Sequence, residues 1–371
     1  MRMVFHFAHP AHFHLFKNVV ASLRNAHEIL ISYNDKDVLD DLIKNSPLKD
    51  IAVKIESSKK IENKFDLLKQ FVNKNIGIYK LLKKFKPDFV AGTSIIIAYS
   101  GKLLGIKSII VNEDDFNIIK KTAIIGYPFA THILCPDVCQ IGKWNYKSVK
   151  YKGYHELSYL HPRYFIPDKE LVRKYFSPDE KFFLLRFAKL VAHHDVGIRG
   201  IDNTIAENVI KILEPHGKIF ISSERTLPSQ LEKYHIKINP LHIHHVMAFA
   251  SIFIGDSQTM AAESGIMGVP FIRFNDFAGR LSYLDELENK YMLGYAINPD
   301  KPEQLYEKIR MILSEKKITE LWQSRKTLML NDKIDVCAFM TWFFENYPDS
   351  AVKAGNEASF IKNNFHSNIM F

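Results

Sequence analysis

The segment from Ala250 to Phe274, ASIFIGDSQTMAAESGIMGVPFIRF, carries the strongest local signal for chemistry in this sequence. Gly255 lets the chain leave a strand sharply, and Asp256 or Ser257 can cap the helix that follows. Gly268 then ends that helix. The pattern predicts a helix N-terminus at the carboxyl end of a strand, where free N–H groups and the helix dipole favour an anion such as a diphosphate.

The first turns of this predicted helix carry polar side chains at a useful spacing. Ser257 and Thr259 supply hydroxyl donors, and Gln258 lies between them. Glu263 falls one turn beyond Thr259 on the same helix face, where its carboxylate could accept hydrogen bonds from ribose hydroxyls. A capped core helix with a solvated Glu263 is the alternative interpretation, and the pattern alone leaves both open.

A second candidate centre follows the first predicted strand, in HFAHPAHFHLFK, with His6, His9, His12 and His14 inside nine positions. A metal site is disfavoured because no cysteine or carboxylate joins them and the helical period would separate them. We expect His12 to act as a general base, since a turn between strand and helix lets its ring enter a cleft. A surface histidine is the competing interpretation.

The acceptor side of such a cleft would be formed by further residues of the first half. Lys17 lies on the turn after the histidines and could contact an anionic substrate group, or it could be exposed. His9, His14 and Glu156 are predicted to lie with it on the acceptor side.

The segment RFAKLVAHHDVGIRG, which begins at Arg186, follows the first strand of the second half. An adjacent His-His-Asp run is too short for a nucleophilic triad, so donor-phosphate or sugar contact is the better interpretation. The residues predicted to contribute to the donor site, besides the helix residues above, are Arg186, His193, His194, Asp195, Arg225 and His244. The motifs of P-loops, dinucleotide sites, nucleophile elbows and HExxH metalloproteases are not found in the sequence, which argues against those enzyme classes.

Length and alternation predict the fold class. A chain of 371 residues with 47% apolar content holds two or three domains. Short apolar runs alternate with helical patterns in both halves, which is typical of parallel doubly wound α/β sheets. We predict two Rossmann-like domains, residues 1–165 and 166–345, facing each other across a cleft, and a C-terminal tail at 346–371 that packs back or is flexible.

Within the second half, the pattern predicts a helix over residues 227–234 followed by a strand over 236–238. Three more helices are expected near residues 302–314, 318–330 and 335–346. No repeat of 20 to 50 residues is seen, so the two halves would be alike in layout only.

Positive charge is concentrated in one segment. The formal net charge is +9, and residues 54–86 alone hold ten lysines against three acids. Apolar residues there recur near the helical period, so the segment could be a basic amphipathic helix at an anionic membrane leaflet or the solvated face of an ordinary helix. Nucleic acid is a less favoured partner because no recognition motif accompanies the charge.

Cysteine content and hydropathy bear on the compartment. The three cysteines form no paired CxxC pattern, and the opening MRMVFHFAHP lacks the long apolar core of a signal peptide. No apolar run reaches the roughly 18 residues of a membrane span. We therefore expect a cytoplasmic protein, either free in the cytoplasm or at the inner face of the cell membrane.

The segment from Ala250 to Pro270 resembles the donor-site motif of GT-B proteins, especially the non-hydrolysing UDP-N-acetylglucosamine 2-epimerases. Ser257 falls on their diphosphate-binding serine and Glu263 on their ribose-binding glutamate, while Gln258 and Thr259 replace a glycine pair. The segments PAHFHLFKN, GYHELSYLHP, RFAKLVAHHDVG and GDSQTMAAESGIMGVP are similar to an uncharacterised bacterial and archaeal GT-B-like family. These segments fall within residues 1–275.

The resemblance implies a GT-B fold and three functional hypotheses. The first is a glycosyltransferase that moves a sugar from a nucleotide-sugar, such as a UDP-sugar, to a glycan or glycolipid acceptor in surface polysaccharide assembly, without a metal or other cofactor. The second is a nucleotide-sugar 2-epimerase, for which Asp114, Asp115 and Glu156 are candidate carboxylates. The third is a non-catalytic nucleotide-binding protein.

Overall fold

The computed structural model describes residues 1–34, 36, 38–55, 64–188, 198–356 and 358–367 of the chain. These residues form two compact units. Of these described residues, those up to 159 and from 333 to 367 form the first unit, and those from 160 to 332 form the second.

The first unit is built on a seven-stranded sheet in which every neighbouring pair is parallel. Its strands are β1 Arg2–Phe7, β2 Glu28–Asn34, β3 Ala52–Ile55, β4 Phe89–Gly92, β5 Lys107–Val111, β6 His132–Pro136 and β7 Ser148–Tyr151. The strand order is β3-β2-β1-β4-β5-β6-β7. The central strands are apolar and buried along almost their whole length, because helices cover both faces of a parallel sheet.

Helices connect these strands in the order that the sequence alternation predicts. They are α1 Pro10–Leu23, α2 Leu39–Lys44, α3 Lys64–Phe85, α4 Ile96–Leu104, α5 Lys120–Gly126 and α6 Leu157–Leu160. The order of strands reverses beside β1, since β2 lies on one side of it and β4 on the other. Such a reversal opens a crevice at the carboxyl ends of the two strands.

The second unit has a smaller parallel sheet of five strands, ordered β12-β11-β10-β8-β9. The strands are β8 Phe182–Phe187, β9 Lys218–Ser223, β10 Ile252–Gly255, β11 Phe271–Phe274 and β12 Gly294–Ile297. Here the order reverses beside β8, which pairs with β9 on one side and β10 on the other. The predicted α/β class with two doubly wound sheets is confirmed.

The helices of the second unit are α7 Lys169–Arg173, α8 Asn203–Leu213, α9 Ile243–Ala248, α10 Gln258–Met267, α11 Ser282–Asp285, α12 Pro302–Ser314 and α13 Ile318–Asp332. A π-helical turn, Glu286–Lys290, continues α11. The predicted helix over residues 227–234 and strand over 236–238 are wrong. That stretch holds one short 3-10 turn, Glu232–Tyr234. It pairs with β9 through the bridge between Ile221 and His235. The segment is too polar to be buried as a full strand.

The last three helices belong to the first unit, although the sequence analysis assigned residues up to 345 to the second. They are α14 Val336–Glu345, α15 Asp349–Asn356 and α16 Ala358–Asn364. The helix α14 belongs there because its apolar side chains pack on the first sheet. Phe344 is fully buried, with its ring 5.2 Å from that of Phe5 on β1 and 5.7 Å from that of Phe89 on β4. A helix this apolar must be covered on several sides.

Among the helices that the described residues form, none is both long enough and apolar enough to cross a membrane.

We expect Phe344→Ala to destabilise the first unit by about 3–5 kcal/mol, because a buried ring contributes its transfer free energy and leaves a cavity when removed. Amide hydrogen exchange should accelerate in β1 and β4 and stay unchanged in β10. Val352→Ala, at a position that is 65% exposed, serves as the control and should change stability by less than about 0.5 kcal/mol. Equal acceleration in β10 would contradict the assignment of α14 to the first unit.

Candidate functional site

The segment between β10 and β11 folds as its sequence predicts. Ser257 is the N-cap of α10, and its Oγ accepts the N–H of Met260 at 3.4 Å. Gly268 ends the helix in the left-handed conformation, with φ of 79°, which a side chain would strain. At Gly255 the chain passes so close to β8 that a Cβ atom would lie 2.8 Å from the carbonyl oxygen of Arg186.

The N-terminus of α10 is the part of this helix that reaches the surface. Ser257, Gln258 and Thr259 are partly exposed, whereas the helix is buried from Ala261 to Met267. Backbone N–H groups in a first helical turn have no acceptor within the helix, and they carry the positive end of its dipole. This end of α10 can therefore bind an anionic group.

Glu263 is buried rather than solvated. Its Oε1 lies 2.8 Å from Nε2 of His244 on α9, and both side chains are about 5% exposed. The structure thus brings together two residues that the sequence analysis assigned separately to the donor site. The contact between His244 and Glu263 joins α9 to α10 one turn after the partly exposed first turn of α10.

Asp256 holds the strand ends together where the strand order reverses. Its Oδ1 accepts the N–H of Ala188, which follows β8, at 2.6 Å. Its backbone carbonyl accepts Nδ2 of Asn275, which follows β11, at 2.9 Å. Burial raises the pKa of Asp256 to about 6, and the bond from Ala188 and the charge of Arg225 oppose that rise.

The two arginines predicted for the donor site contact their own unit. Arg186 donates to Oγ of Ser222 at 2.7 Å and pairs with Glu224. Arg225 donates to the carbonyl of Ile201, and its guanidinium lies 4.9 Å from the ring centre of Phe187. Both side chains therefore line the ends of β8 and β9. His193, His194 and Asp195 lie outside the described residues.

In the first unit, His12 lies at the strand reversal between β1 and β4. Its Nδ1 accepts the N–H of Ala8 at 3.0 Å, and Oγ1 of Thr93, which follows β4, lies 2.6 Å from Nε2 and 2.9 Å from Nδ1. Burial, followed by the neighbouring His9 and His6, lowers the pKa of His12 well below its ordinary value. The ring is therefore neutral near pH 7, and the bond from Ala8 assigns its proton to Nε2.

His9 and His6 support this loop. His9 is the N-cap of α1, and its Nδ1 accepts the N–H of Ala11 at 3.2 Å. His6 is fully buried on β1, with Nδ1 2.9 Å from Oγ of Ser32, and burial lowers its pKa to about 3. Both histidines thus have structural roles in addition to any contact with a ligand.

A second imidazole close to His12 was missed by the sequence analysis. Nδ1 of His155 lies 3.3 Å from Oε2 of Glu113, and the backbone N–H of His155 donates to the same oxygen at 3.3 Å. Burial lowers the pKa of His155 to about 4 against the opposing charges of Glu156 and Asp114. Among the described residues, Nε2 of His155 is a buried atom without a hydrogen-bond partner.

The signal for this pair was its position at strand ends. Glu113 follows β5 and His155 follows β7, and the carboxyl ends of parallel strands meet at one sheet edge. The charge of His155 contributes to lowering the pKa of His12, so the two rings lie within electrostatic range of each other. We call His12, Thr93, Glu113 and His155 the histidine centre.

The other residues predicted for the acceptor side pack inward. His14 is buried with its ring 5.4 Å from that of Tyr159, and Nζ of Lys17 lies 5.8 Å from the centre of the same ring. Glu156 is buried as well. No group of three or more metal-ligating side chains is found in the part of the chain that the structure describes.

The raised pKa of Asp256 predicts a pH dependence of stability. Its folded-state pKa of about 6 lies above the ordinary 3.8, so the stabilising protonated form is lost as pH rises from about 4 to 7. The stability of the protein relative to that of Asp256→Asn should fall by about 3 kcal/mol over this range. Chemical denaturation of both proteins at each pH measures the difference. A difference that is constant with pH would refute the assignment.

No protein-family model matches this sequence, and no curated protein matches it. Solved structures do match along most of the chain. UDP-GlcNAc 2-epimerase from Methanocaldococcus jannaschii, in complex with UDP-GlcNAc and UDP, is similar with a TM-score of 0.63 and 15% identity, over 85% of this chain and 94% of that chain. UDP-GlcNAc 2-epimerase from Neisseria meningitidis, bound to UDP-GlcNAc, has a TM-score of 0.55 and 11% identity, over 88% and 98%.

A glycosyltransferase is similar to the same extent. VinC, in complex with dTDP, has a TM-score of 0.58 and 12% identity, over 96% of this chain and 100% of that chain. At these identities the likeness concerns the fold. It confirms the likeness to 2-epimerases and glycosyltransferases that the sequence motifs indicate, and it shows that the chain has the GT-B fold.

Proposed function

We propose that this protein is a glycosyltransferase that uses a nucleotide-sugar donor. The observation that carries the proposal is the partly exposed N-terminus of α10 at the strand reversal of the second unit. A nucleoside diphosphate is the leaving group of such a donor, and a helix N-terminus compensates the charge that grows on it during transfer. The similar structures that contain UDP-GlcNAc, UDP or dTDP support a ligand of this class.

In this proposal Ser257, Gln258 and Thr259 hold the diphosphate with their backbone N–H groups and hydroxyls. Glu263 is proposed to contact the ribose, while Nε2 of His244 lies 2.8 Å from its Oε1. This contact fixes the carboxylate in one position. Arg186, Arg225 and the His193–Asp195 segment are proposed to complete the donor site.

Transfer also requires a base for the acceptor hydroxyl, and the histidine centre offers two imidazoles. We predicted His12, but its Nδ1 lone pair accepts the Ala8 N–H and its Nε2 carries the proton. In His155 the carboxylate of Glu113 lies 3.3 Å from Nδ1, which favours the proton on Nδ1 and the lone pair on Nε2 as the proton acceptor. We therefore assign the base to His155, oriented by Glu113, and we assign to His12 a contact with the acceptor.

The epimerase alternative is supported by the 2-epimerases among the similar structures. Its chemistry calls for carboxylates near the sugar carbons. Asp115 is instead buried, and its Oδ1 accepts the N–H of Gln140 at 2.7 Å, while Glu113 is engaged with His155. These contacts argue against Asp115 and Glu113 in that role, and Asp114 and Glu156 stay the candidate carboxylates of an epimerase.

Incubation of the protein with a panel of UDP-, GDP- and CMP-sugars tests the reaction class. Transfer needs an added glycan or lipid-linked acceptor, and epimerisation proceeds without one. We expect a nucleotide-sugar to be consumed only when an acceptor is present. A new sugar nucleotide formed without any acceptor would favour the epimerase, and turnover under neither condition would favour a non-catalytic binding protein.

The diphosphate site can be tested by introducing a negatively charged side chain into the first turn of α10. Thr259→Glu places a carboxylate in the first turn of α10, where it stabilises the helix but repels a diphosphate. We expect affinity for UDP to fall at least about tenfold, or 1.4 kcal/mol, with no loss of thermal stability. Calorimetric titration measures the affinity.

A matched control exists on α8. Thr204 occupies the second position after the N-cap Asp202, as Thr259 does after Ser257. Thr204→Glu should therefore stabilise its helix equally and leave UDP binding unchanged. Unaltered UDP affinity in Thr259→Glu would overturn the diphosphate site.

The assignment of the base predicts an order of effects on the transfer rate. His155→Ala should lower kcat by about a hundredfold or more, and Glu113→Gln by a smaller factor. His12→Ala should act mainly on KM for the acceptor. His216→Ala, at an exposed position of the second unit, is the control. A larger loss of kcat in His12→Ala than in His155→Ala would return the base to His12.

A further inference from the structure

The N-terminal half of α3 leaves apolar side chains in solvent. In its C-terminal half, Ile78 and Leu82 are fully buried against the core of the first unit. On the N-terminal side of Ile78, the side chains of Phe71, Val72 and Ile76 are 37%, 46% and 46% exposed. A single exposed apolar side chain is ordinary on a protein surface, whereas a contiguous group of them marks a contact surface.

The exposed residues of α3 continue across α4 and α5. The ring of Phe71 lies 6.0 Å from that of Tyr99 on α4, and the ring of Tyr99 lies 5.0 Å from that of Phe129, which follows α5. Leu103, one turn beyond Tyr99, is 76% exposed, and Ile125 on α5 is 51% exposed. We call this continuous surface the α3–α5 face; its members are Phe71, Val72, Ile76, Tyr99, Leu103, Ile125 and Phe129.

The charged residues of the three helices that contribute to this face are almost all lysines. α3 carries six lysines and one acid, Asp66. α4 and α5 carry Lys102, Lys120 and Lys121 and no acid. Lys102 is close enough to Lys147 that its charge, after burial, lowers the pKa of Lys147. Lys54, by contrast, is paired with Asp40 at 3.4 Å and does not belong to this surface.

We propose that the α3–α5 face docks the protein on an anionic lipid bilayer. The apolar side chains enter the interface between headgroups and acyl chains, and the surrounding lysines pair with anionic headgroups. A second copy of the chain fits less well, because a two-fold contact would oppose lysines to lysines. Nucleic acid would leave the aliphatic side chains of Val72, Ile76, Leu103 and Ile125 without an apolar partner. The inference depends on this surface alone and does not require glycosyl transfer.

Co-sedimentation of the full-length protein with vesicles tests the proposal. We expect binding to vesicles of phosphatidylcholine with one third phosphatidylglycerol, weakening as salt is raised, and little binding to phosphatidylcholine alone. The double variant Leu103→Ser/Ile125→Ser should lower the partition coefficient at least about tenfold. The double variant Lys102→Glu/Lys121→Glu should lower it to a similar degree.

Matched controls lie away from the face. Leu328→Ser/Val352→Ser alters two exposed apolar residues elsewhere, and Lys316→Glu/Lys317→Glu makes the same change of charge on exposed residues of the second unit. Both should bind vesicles as the unaltered protein does. Three results would each overturn the proposal: equal loss in face and control variants, no binding to anionic vesicles at low salt, or a dimer that the face variants dissociate.

Discussion

The reversal of strand order in each sheet is the constraint on which the candidate chemistry depends. The reversal lies beside β1 in the first unit and beside β8 in the second. At each reversal the loops that follow two adjacent strands run in opposite directions, which opens a crevice where a ligand can reach the backbone. Polar groups fill both positions. His12 and Thr93 meet across the first reversal, and Asp256 accepts the N–H of Ala188 across the second.

Both positions hold ionisable groups in environments that oppose their charge. Burial keeps His6, His12 and His155 neutral near pH 7, and it raises the pKa of Asp256 toward neutrality. A neutral imidazole beside a carboxylate can accept a proton, which suits the acceptor end of a transfer reaction. In the second unit, the N-terminus of α10 follows Asp256 and contributes positive potential through its backbone, which suits a phosphate group.

Residue patterns over a few neighbouring positions were enough to predict those parts of the molecule that contacts close in sequence determine. The turn from β10 into α10 and its stop at Gly268 follow from residues adjacent in sequence and were predicted correctly. Of the two predicted caps, Asp256 and Ser257, Ser257 is the N-cap. The alternation of strands and helices likewise predicted both parallel sheets. The helical period placed Glu263 on the face of Thr259, but it could not indicate that His244, nineteen positions earlier, would bury it.

The remaining features arise from contacts that are distant in sequence. Glu113 and His155 are separated by 42 positions and meet because β5 and β7 end at the same sheet edge. The return of α14 to β1 and β4 depends on aromatic packing between the two ends of the chain. In the lysine-rich segment, the sequence indicated a basic amphipathic helix, whereas the exposed apolar surface also required Tyr99 from α4 and Phe129 from the turn after α5.

The central claim is that a nucleoside diphosphate binds at the N-terminus of α10, and a crystal structure with bound UDP tests it most directly. The claim predicts phosphate oxygens within hydrogen-bond distance of the backbone N–H groups of Gln258 and Thr259, with the ribose toward Glu263. Clear density for UDP elsewhere on the protein, with these N–H groups contacting only solvent, would contradict it.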